Sequence, residues 1–503
     1  MVFSSLVFLW IFLPLCIIGY YLIRKEYRNT LLLVASLIFY AWGEPIYILL
    51  MLLSILVNFF LGLWMEKCKK AGGCSADSDA GPVSATGTEN SVKLEKAEKP
   101  VVQGGAYSAK CVLVIAIIFN LGLLGYYKYA GFLVESLNAV IPGSPLTKPE
   151  VTLPIGISFF TFQILSYVID LYRGEYEAQH SITDLALYIS FFPQLIAGPI
   201  VKYKDINDQL KDRVCSTEKF VAGARRFAYG LGKKVLIANA MAYVVDKIYS
   251  YGIERLNSPL VWGATIAYTL QIYYDFSGYS DMAIGLGKIF GFEFQENFLY
   301  PYGSTSIQEF WRRWHVSLSS WLREYVYIPL GGNRKGNVRT YVNLIVVFFV
   351  TGIWHGAGWT FILWGLYHGF FSIIERLGLG KLLKRFKPLG LVYTLIVVNF
   401  GWMLFRADTL AQAKLFLKIM LVPGEFTGGN GIQSLFDNKI MFLIMAGFIG
   451  SGWLQGTCAK YAPGLVKRWK LSWLEMIWCA LIMILSIAAL ASNTYNPFIY
   501  FHF

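Results

Sequence analysis

An all-α, polytopic membrane fold is what this chain predicts. Three observations carry the prediction: an apolar composition, apolar runs long enough to span a bilayer, and basic residues gathered in the loops between them. Of 503 residues, 56% are hydrophobic, 17% aromatic and only 15% charged, whereas an average soluble domain is about 25% charged. A helix needs about 20 predominantly apolar residues to cross the hydrocarbon core. The windows 3–22, 47–65, 340–354 with 359–374, and 472–491 satisfy that requirement. With the remaining apolar runs the expectation is about eleven transmembrane helices, and the shorter runs suit re-entrant helices.

The first window has no basic residue before it and no small-residue cleavage site after it, so it reads as a retained helix rather than a signal peptide. The net charge of +13 would suggest nucleic acid in a soluble protein, but its placement argues otherwise. Basic residues cluster at Arg24, Lys25 and Arg28; at Lys67, Lys69 and Lys70; and at Lys202, Lys204, Lys211, Arg213, Arg225 and Arg226. Further clusters are Arg334, Lys335 and Arg339; Lys381, Lys384, Arg385 and Lys387; and Lys460, Lys467, Arg468 and Lys470. The positive-inside rule makes these loops cytoplasmic and puts the N-terminus outside. The seven cysteines, Cys16, Cys68, Cys74, Cys111, Cys215, Cys458 and Cys479, have no metal-ligand or C-x-x-C spacing, and their odd number excludes a complete intrachain disulfide framework.

Residues 71–107 are rich in Gly, Ser, Ala and mixed charge. Too little apolar surface is available there to offset chain entropy, which predicts a disordered cytoplasmic loop. The expected organisation is therefore N-terminal transmembrane helices over 1–70, that loop, and a main body over 108–503.

In the body, Leu153–Gln163 and Phe191–Pro199 carry Pro and Gly within apolar sequence. Broken backbone at membrane depth survives only where protein or a water-filled cavity covers it. A re-entrant, cavity-lining segment and a Pro-kinked packing helix are equally open readings. Residues 307–328 mix Trp311, Trp314 and Trp321 with Arg312, Arg313, His315, Arg323 and Glu324. That pattern predicts an interfacial or half-inserted helix with its aromatics in the membrane belt. The basic loop Pro329–Gly336 follows, either as a receiver of an anionic ligand or as a topogenic signal. Residues 406–439 read as a surface helix and loop.

Two of the five histidines stand out. His355 ends a mostly apolar run in Thr351-Gly352-Ile353-Trp354-His355-Gly356-Ala357-Gly358-Trp359. Ionisable groups at membrane depth are costly and mark function by default. At 1.5 Å per residue, His355 lies roughly 24 Å from Arg339, at or beyond the bilayer centre. Neutral imidazole titrates near pH 6.5 and takes a proton from a hydroxyl, as a general base for acyl transfer does; the competing reading is a structural histidine in a bundle. Gly352, Gly356 and Gly358 would let backbone or ligand approach closely, as a tunnel wall needs.

His315, in Phe310-Trp311-Arg312-Arg313-Trp314-His315, could approach His355 or anchor at the interface. His368 lies off the His355 face and reads as packing, while His180 and His502 suggest no catalysis. Asp275 and Asp281 need partners at depth, Arg312 or Arg313 being the expected ones, and structural ion pairing and a role in a tunnel are equally open readings. No phosphate-binding Gly-rich loop, G-x-S-x-G or H-E-x-x-H occurs, so ATP hydrolysis and a metal site have no support.

Tyr274-Asp275-Phe276-Ser277-Gly278-Tyr279-Ser280-Asp281-Met282-Ala283, Phe310–His315, Gly352–Ala357 and Leu404-Phe405-Arg406-Ala407 together resemble the membrane-bound O-acyltransferase family, in the branch of the alginate O-acetylation membrane proteins. Leu153–Gln163, Phe192–Ile200, Gly232–Asn239 and Tyr495–Phe501 extend the resemblance over essentially the whole chain.

The resemblance implies helices around a central tunnel in a bacterial cytoplasmic membrane, with His355 and His315 catalytic. It implies acetyl-CoA as the acyl donor from the cytosol with no bound cofactor, and an exported polysaccharide as acceptor; Arg312 and Arg313 are the residues we expect to hold the donor's phosphates. It also implies a separate extracytoplasmic acetyltransferase of the serine-hydrolase type as partner. D-alanyl transfer to teichoic acid, and a non-catalytic acetyl-group transporter or scaffold, are the alternatives. The segment 71–107 departs from the resemblance in length and low complexity.

Overall fold

Local capping chemistry sets many of the helix boundaries. Ser181, Ser216, Asn257, Ser306 and Thr409 each accept, through the side chain, a backbone N–H from three residues ahead and so start a helix, satisfying donors that the first turn leaves without partners. Helix Ile157–Arg173 is bracketed by Gly156 and Gly174, both at φ 79° in the left-handed region, where a side chain would be strained. The computed structural model describes residues 1–73, 103–422 apart from 142, 144 and 145, 435–453, 472–492 and 495–499, with isolated positions between 458 and 469. The expected disordered loop falls largely on 74–102, outside the described residues, as do His502, Cys74 and 423–434.

Among the described residues all regular structure is helical. Five helices are long and apolar enough to cross a membrane: Ile48–Ala71, Ser108–Val140, Gly336–His355, Lys387–Arg406 and Trp473–Ser492. Phe8–Leu22 and Asn438–Gly452 are shorter apolar helices. The apolar stretches Ile157–Arg173 and Trp359–Ile374 form helices of 17 and 16 residues. The chain is an all-α, multi-pass membrane protein.

The centre of the body is the 32-residue helix Ser258–Ile289. Helix Thr217–Gly232 crosses it through facing glycines: a Cβ on Gly230 would fall 2.6 Å from the Gly278 carbonyl oxygen, and one on Gly285 2.6 Å from that of Gly223. Small residues let membrane helices approach backbone to backbone. The N-terminal helices share this core, with Phe3 stacked on Tyr279 at 4.5 Å between centroids and the Tyr20 hydroxyl donating to the Phe290 carbonyl. The C-terminal segment is also tied in, through Asn496 Nδ2 donating to the Ser4 carbonyl.

Three expectations change in detail. Residues 307–328 form two short helices, Ile307–Arg313 and Val316–Leu322, followed by a π-turn, Arg323–Tyr327. Their Trp311, Trp314 and Trp321 are buried against protein instead of lying in a membrane belt: helices Trp359–Ile374 and Lys387–Arg406 cover Trp311 and Trp314, while Trp321 stacks on Phe162 of helix Ile157–Arg173. Asp275 and Asp281 do not pair with Arg312 or Arg313. The glycine-mediated crossing brings the π-turn Lys233–Ala238 to them instead, and Lys234 Nζ lies 2.6 Å from Asp275 while Lys233 and Arg226 hold Asp281 at 2.6 and 2.8 Å. Lastly, Gly352 and Gly356 accommodate helix packing, since added Cβ atoms would strike the Phe361 carbonyl and ring.

Candidate active site

His355 is the last residue of helix Gly336–His355 and is 4% exposed. The final four carbonyls of a helix have no partner within it, and here all four are met. Gly356 N–H reaches the Gly352 oxygen at 3.4 Å, and the Tyr129 hydroxyl donates to Ile353 at 2.7 Å. Lys128 Nζ donates to Trp354 at 2.6 Å and to His355 at 3.3 Å. The imidazole sits edge-on to Trp364 and Phe405, 5.0 and 5.2 Å between centroids.

His315 is fully buried and stands between the two short helices at φ 46° and ψ 55°. A positive φ is uncommon for a residue with a side chain and is held only where the surroundings over-determine it. Asn297 supplies that determination, as its carbonyl accepts Val316 N–H at 3.0 Å and its Oδ1 accepts Ser317 N–H at 3.2 Å and Ser317 Oγ at 2.9 Å. A backbone N–H can only donate, so the atom facing it is the amide oxygen; the same oxygen lies 3.1 Å from His315 Nδ1. His315 Nδ1 therefore carries a proton, an assignment made from the hydrogen-bond network. Nε2 has no protein hydrogen-bond partner among the described residues. Phe276 packs edge-on to the ring at 4.6 Å.

The two imidazoles come together with centroids 6.5 Å apart. Trp354 touches both, at 5.7 Å from His315 and 4.9 Å from His355. A cavity against His355 is lined by Lys128, Ser158, Trp354, Ile196 and the stretch Leu153–Phe159. The broken segments foreseen at 153–163 and 191–199 thus reach the site: a Cβ on Gly156 would fall 2.7 Å from the Leu195 oxygen, and Ile196 joins the cavity wall.

The model of the membrane-bound O-acyltransferase family matches residues 154–410, which hold both histidines and the helices that carry them. The chain belongs to that family. This acyltransferase is 40% identical to the probable alginate O-acetylase AlgI of Pseudomonas putida, over 100% of both chains. It is 43% identical to the protein of that name in Pseudomonas aeruginosa, over 82% of this chain and 73% of that one. It is also 31% identical to the peptidoglycan O-acetyltransferase of Helicobacter pylori, over 100% of this chain and 98% of that one. The acyltransferase is a multi-pass bacterial membrane protein.

Arg312 and Arg313 are not brought to the imidazoles in the same way. They end helix Ile307–Arg313, where Arg312 is exposed and Arg313 pairs with Glu309 at 2.6 Å. His368 is buried among Trp311, Trp364 and Trp402, with neither ring nitrogen hydrogen-bonded among the described residues. His180 is a surface partner of Glu66 at 3.0 Å.

Two residues that contact the candidate site escaped the sequence reading. Lys128 had a signal, being a cation deep within the apolar span Ser108–Val140, whose other lysine, Lys110, lies at its start. Asn297 had none, because its role depends on a loop that folds back onto His315.

Proposed function

We propose that this acyltransferase moves an acetyl group from cytosolic acetyl-CoA across the membrane for O-acetylation of an exported polysaccharide. The observation that carries the reading is the buried pair of imidazoles with centroids 6.5 Å apart, one of them oriented by Asn297 at its Nδ1. Two relatives are named for O-acetylation of alginate and peptidoglycan, which supports an acetyl group and a glycan hydroxyl.

In this reading His355 takes the proton of the accepting hydroxyl, whose oxygen attacks the thioester carbonyl. The C–S bond breaks, and the CoA thiolate leaves and collects the proton from the imidazolium. Such a base contributes about 10² to 10⁴-fold in rate. His315 orients the substrate or polarises its carbonyl. The basic loops support a cytoplasmic start for helix Gly336–His355; in this reading the donor arrives from that side, and exposed Arg312 with Arg313 receives its phosphates. The acceptor, or a serine-hydrolase-type acetyltransferase that completes delivery, meets the acetyl group from the opposite side, through the cavity beside His355.

The test is transfer of radiolabel from acetyl-CoA to polymer or partner in membrane vesicles, with His355→Ala and His315→Ala at equal expression. Loss of label with inserted, folded variants supports the reading. Unchanged labelling with His355→Ala overturns it in favour of a scaffold or transporter. Labelling that requires a carrier-protein thioester instead of CoA overturns the donor assignment.

A further inference from the structure

Lys128 is 9% exposed and lies in a π-helical turn, Gly125–Tyr129, inside the apolar span Ser108–Val140. A cation at that depth is costly unless its donors are met. An ammonium has three N–H donors, and three acceptors surround this one: the carbonyls of Trp354 and His355 at 2.6 and 3.3 Å and Ser158 Oγ at 3.1 Å. No donor is left over for a ligand, although Lys128 and His355 line the same cavity. Its chemistry is therefore directed at the helix that bears the base.

That helix end has little to hold it from within. Gly356 leaves in extended conformation, φ −164°, and returns only the 3.4 Å contact to Gly352. The carbonyl end of a helix carries partial negative charge, which a cation stabilises. The widened turn sets two adjacent side chains, Lys128 and Tyr129, on three successive carbonyls of that end. Single π-turns within helices are frequent at functional sites.

We propose that Lys128 is a positioning residue for the catalytic base: it clamps the carbonyl end of helix Gly336–His355 and so fixes the backbone from which the His355 imidazole projects. The proposal rests on the acyltransfer reading, in which His355 is the base. A small displacement of a reacting group, of the order of 1 Å, lowers rate by about 10²-fold, so the clamp acts on kcat more than on donor binding.

The experiment uses the full chain in membranes with Lys128→Met, Lys128→Gln and Lys128→Arg. Two quantities are measured: kcat and KM for acetyl-CoA per folded molecule, and amide hydrogen exchange in the peptide covering 348–356. Lys128→Met is expected to lower kcat about 10²-fold with KM within about twofold, and to accelerate exchange in that peptide. Lys128→Arg, which keeps a cation and donors, is expected to recover most of both. If Lys128→Met does not insert, Lys128→Gln, with neutral donors and shorter reach, reads the same two quantities. Parental exchange in the Met or Gln variant overturns the clamp, whatever happens to turnover. So does accelerated exchange with parental kcat. Exchange needs no turnover, so a parent chain that transfers no acetyl would defeat the acyltransfer reading while exchange still decides the clamp.

Discussion

Asn297 Oδ1 accepts the Nδ1 proton of His315 at 3.1 Å while it also accepts the backbone N–H of Ser317 at 3.2 Å. One amide oxygen thus fixes both the tautomer of an imidazole and the strained turn that presents it. Asn297→Ala removes this acceptor and leaves buried donors without partners, at a cost of about 1–3 kcal/mol. Transfer rate is expected to fall roughly tenfold or more, part of the 10² to 10⁴-fold that acid–base groups supply. Ser280→Ala removes only the 3.0 Å bond from Asn297 Nδ2 and is expected to lose less. Rates of the two variants, normalised to folded protein, check the ordering.

Lys234 and Asp275 form an ion pair with side chains 3% and 2% exposed, and Asp275 also accepts the Ile499 N–H at 2.8 Å. Removing one partner of a buried pair costs about 3–5 kcal/mol, whereas replacing both with apolar residues is often neutral. Asp275→Leu is expected to lower thermal stability strongly and expose the C-terminal segment to protease. Lys234→Met added to it is expected to restore part of the stability but not the anchorage of Ile499. Melting in detergent and limited proteolysis separate these effects.

The glycine crossing gives a steric prediction. A methyl at Gly230 would fall 2.6 Å from the Gly278 oxygen, and one at Gly278 2.8 Å from the Gly230 oxygen. Because the opposing atoms are backbone, the helices must separate. Gly230→Ala and Gly278→Ala are each expected to destabilise by about 1–3 kcal/mol, whereas Gly122→Ala, with open space around it, is expected to be neutral. Unfolding midpoints in detergent test this.

Glu324 gives a pH prediction. Burial alone would raise its carboxyl, but Lys202 and Lys204, at 2.8 and 3.0 Å, hold it below the usual range. A depressed folded value means that the contribution to stability is present above the unfolded value and is lost as pH falls through the folded one. The window therefore lies below about pH 4.3, the ordinary glutamate value. Melting temperature is expected to fall on acidification through that window in the parent and to fall less in Glu324→Gln. Partial exposure keeps the effect small.

The sequence by itself determined the membrane character, the helical class and the family, and it singled out the two histidines that the structure brings within 6.5 Å of each other. Apolar length, loop charge and a histidine at depth are local properties, each governed by the cost of moving a group between water and hydrocarbon. Short strings also marked Phe276 and Phe405, although that these rings pack on His315 and His355 became visible only in three dimensions. What tertiary structure alone decided is who partners whom. Asp275 and Asp281 found Lys234, Lys233 and Arg226 in place of Arg312 and Arg313, because facing glycines bring those two helices into backbone contact. The broken 307–328 segment, the tautomer set by Asn297 and the cap supplied by Lys128 arise likewise from residues distant in sequence. Burial makes every polar group seek a partner, and sequence spacing does not specify which groups the packed helices bring within reach.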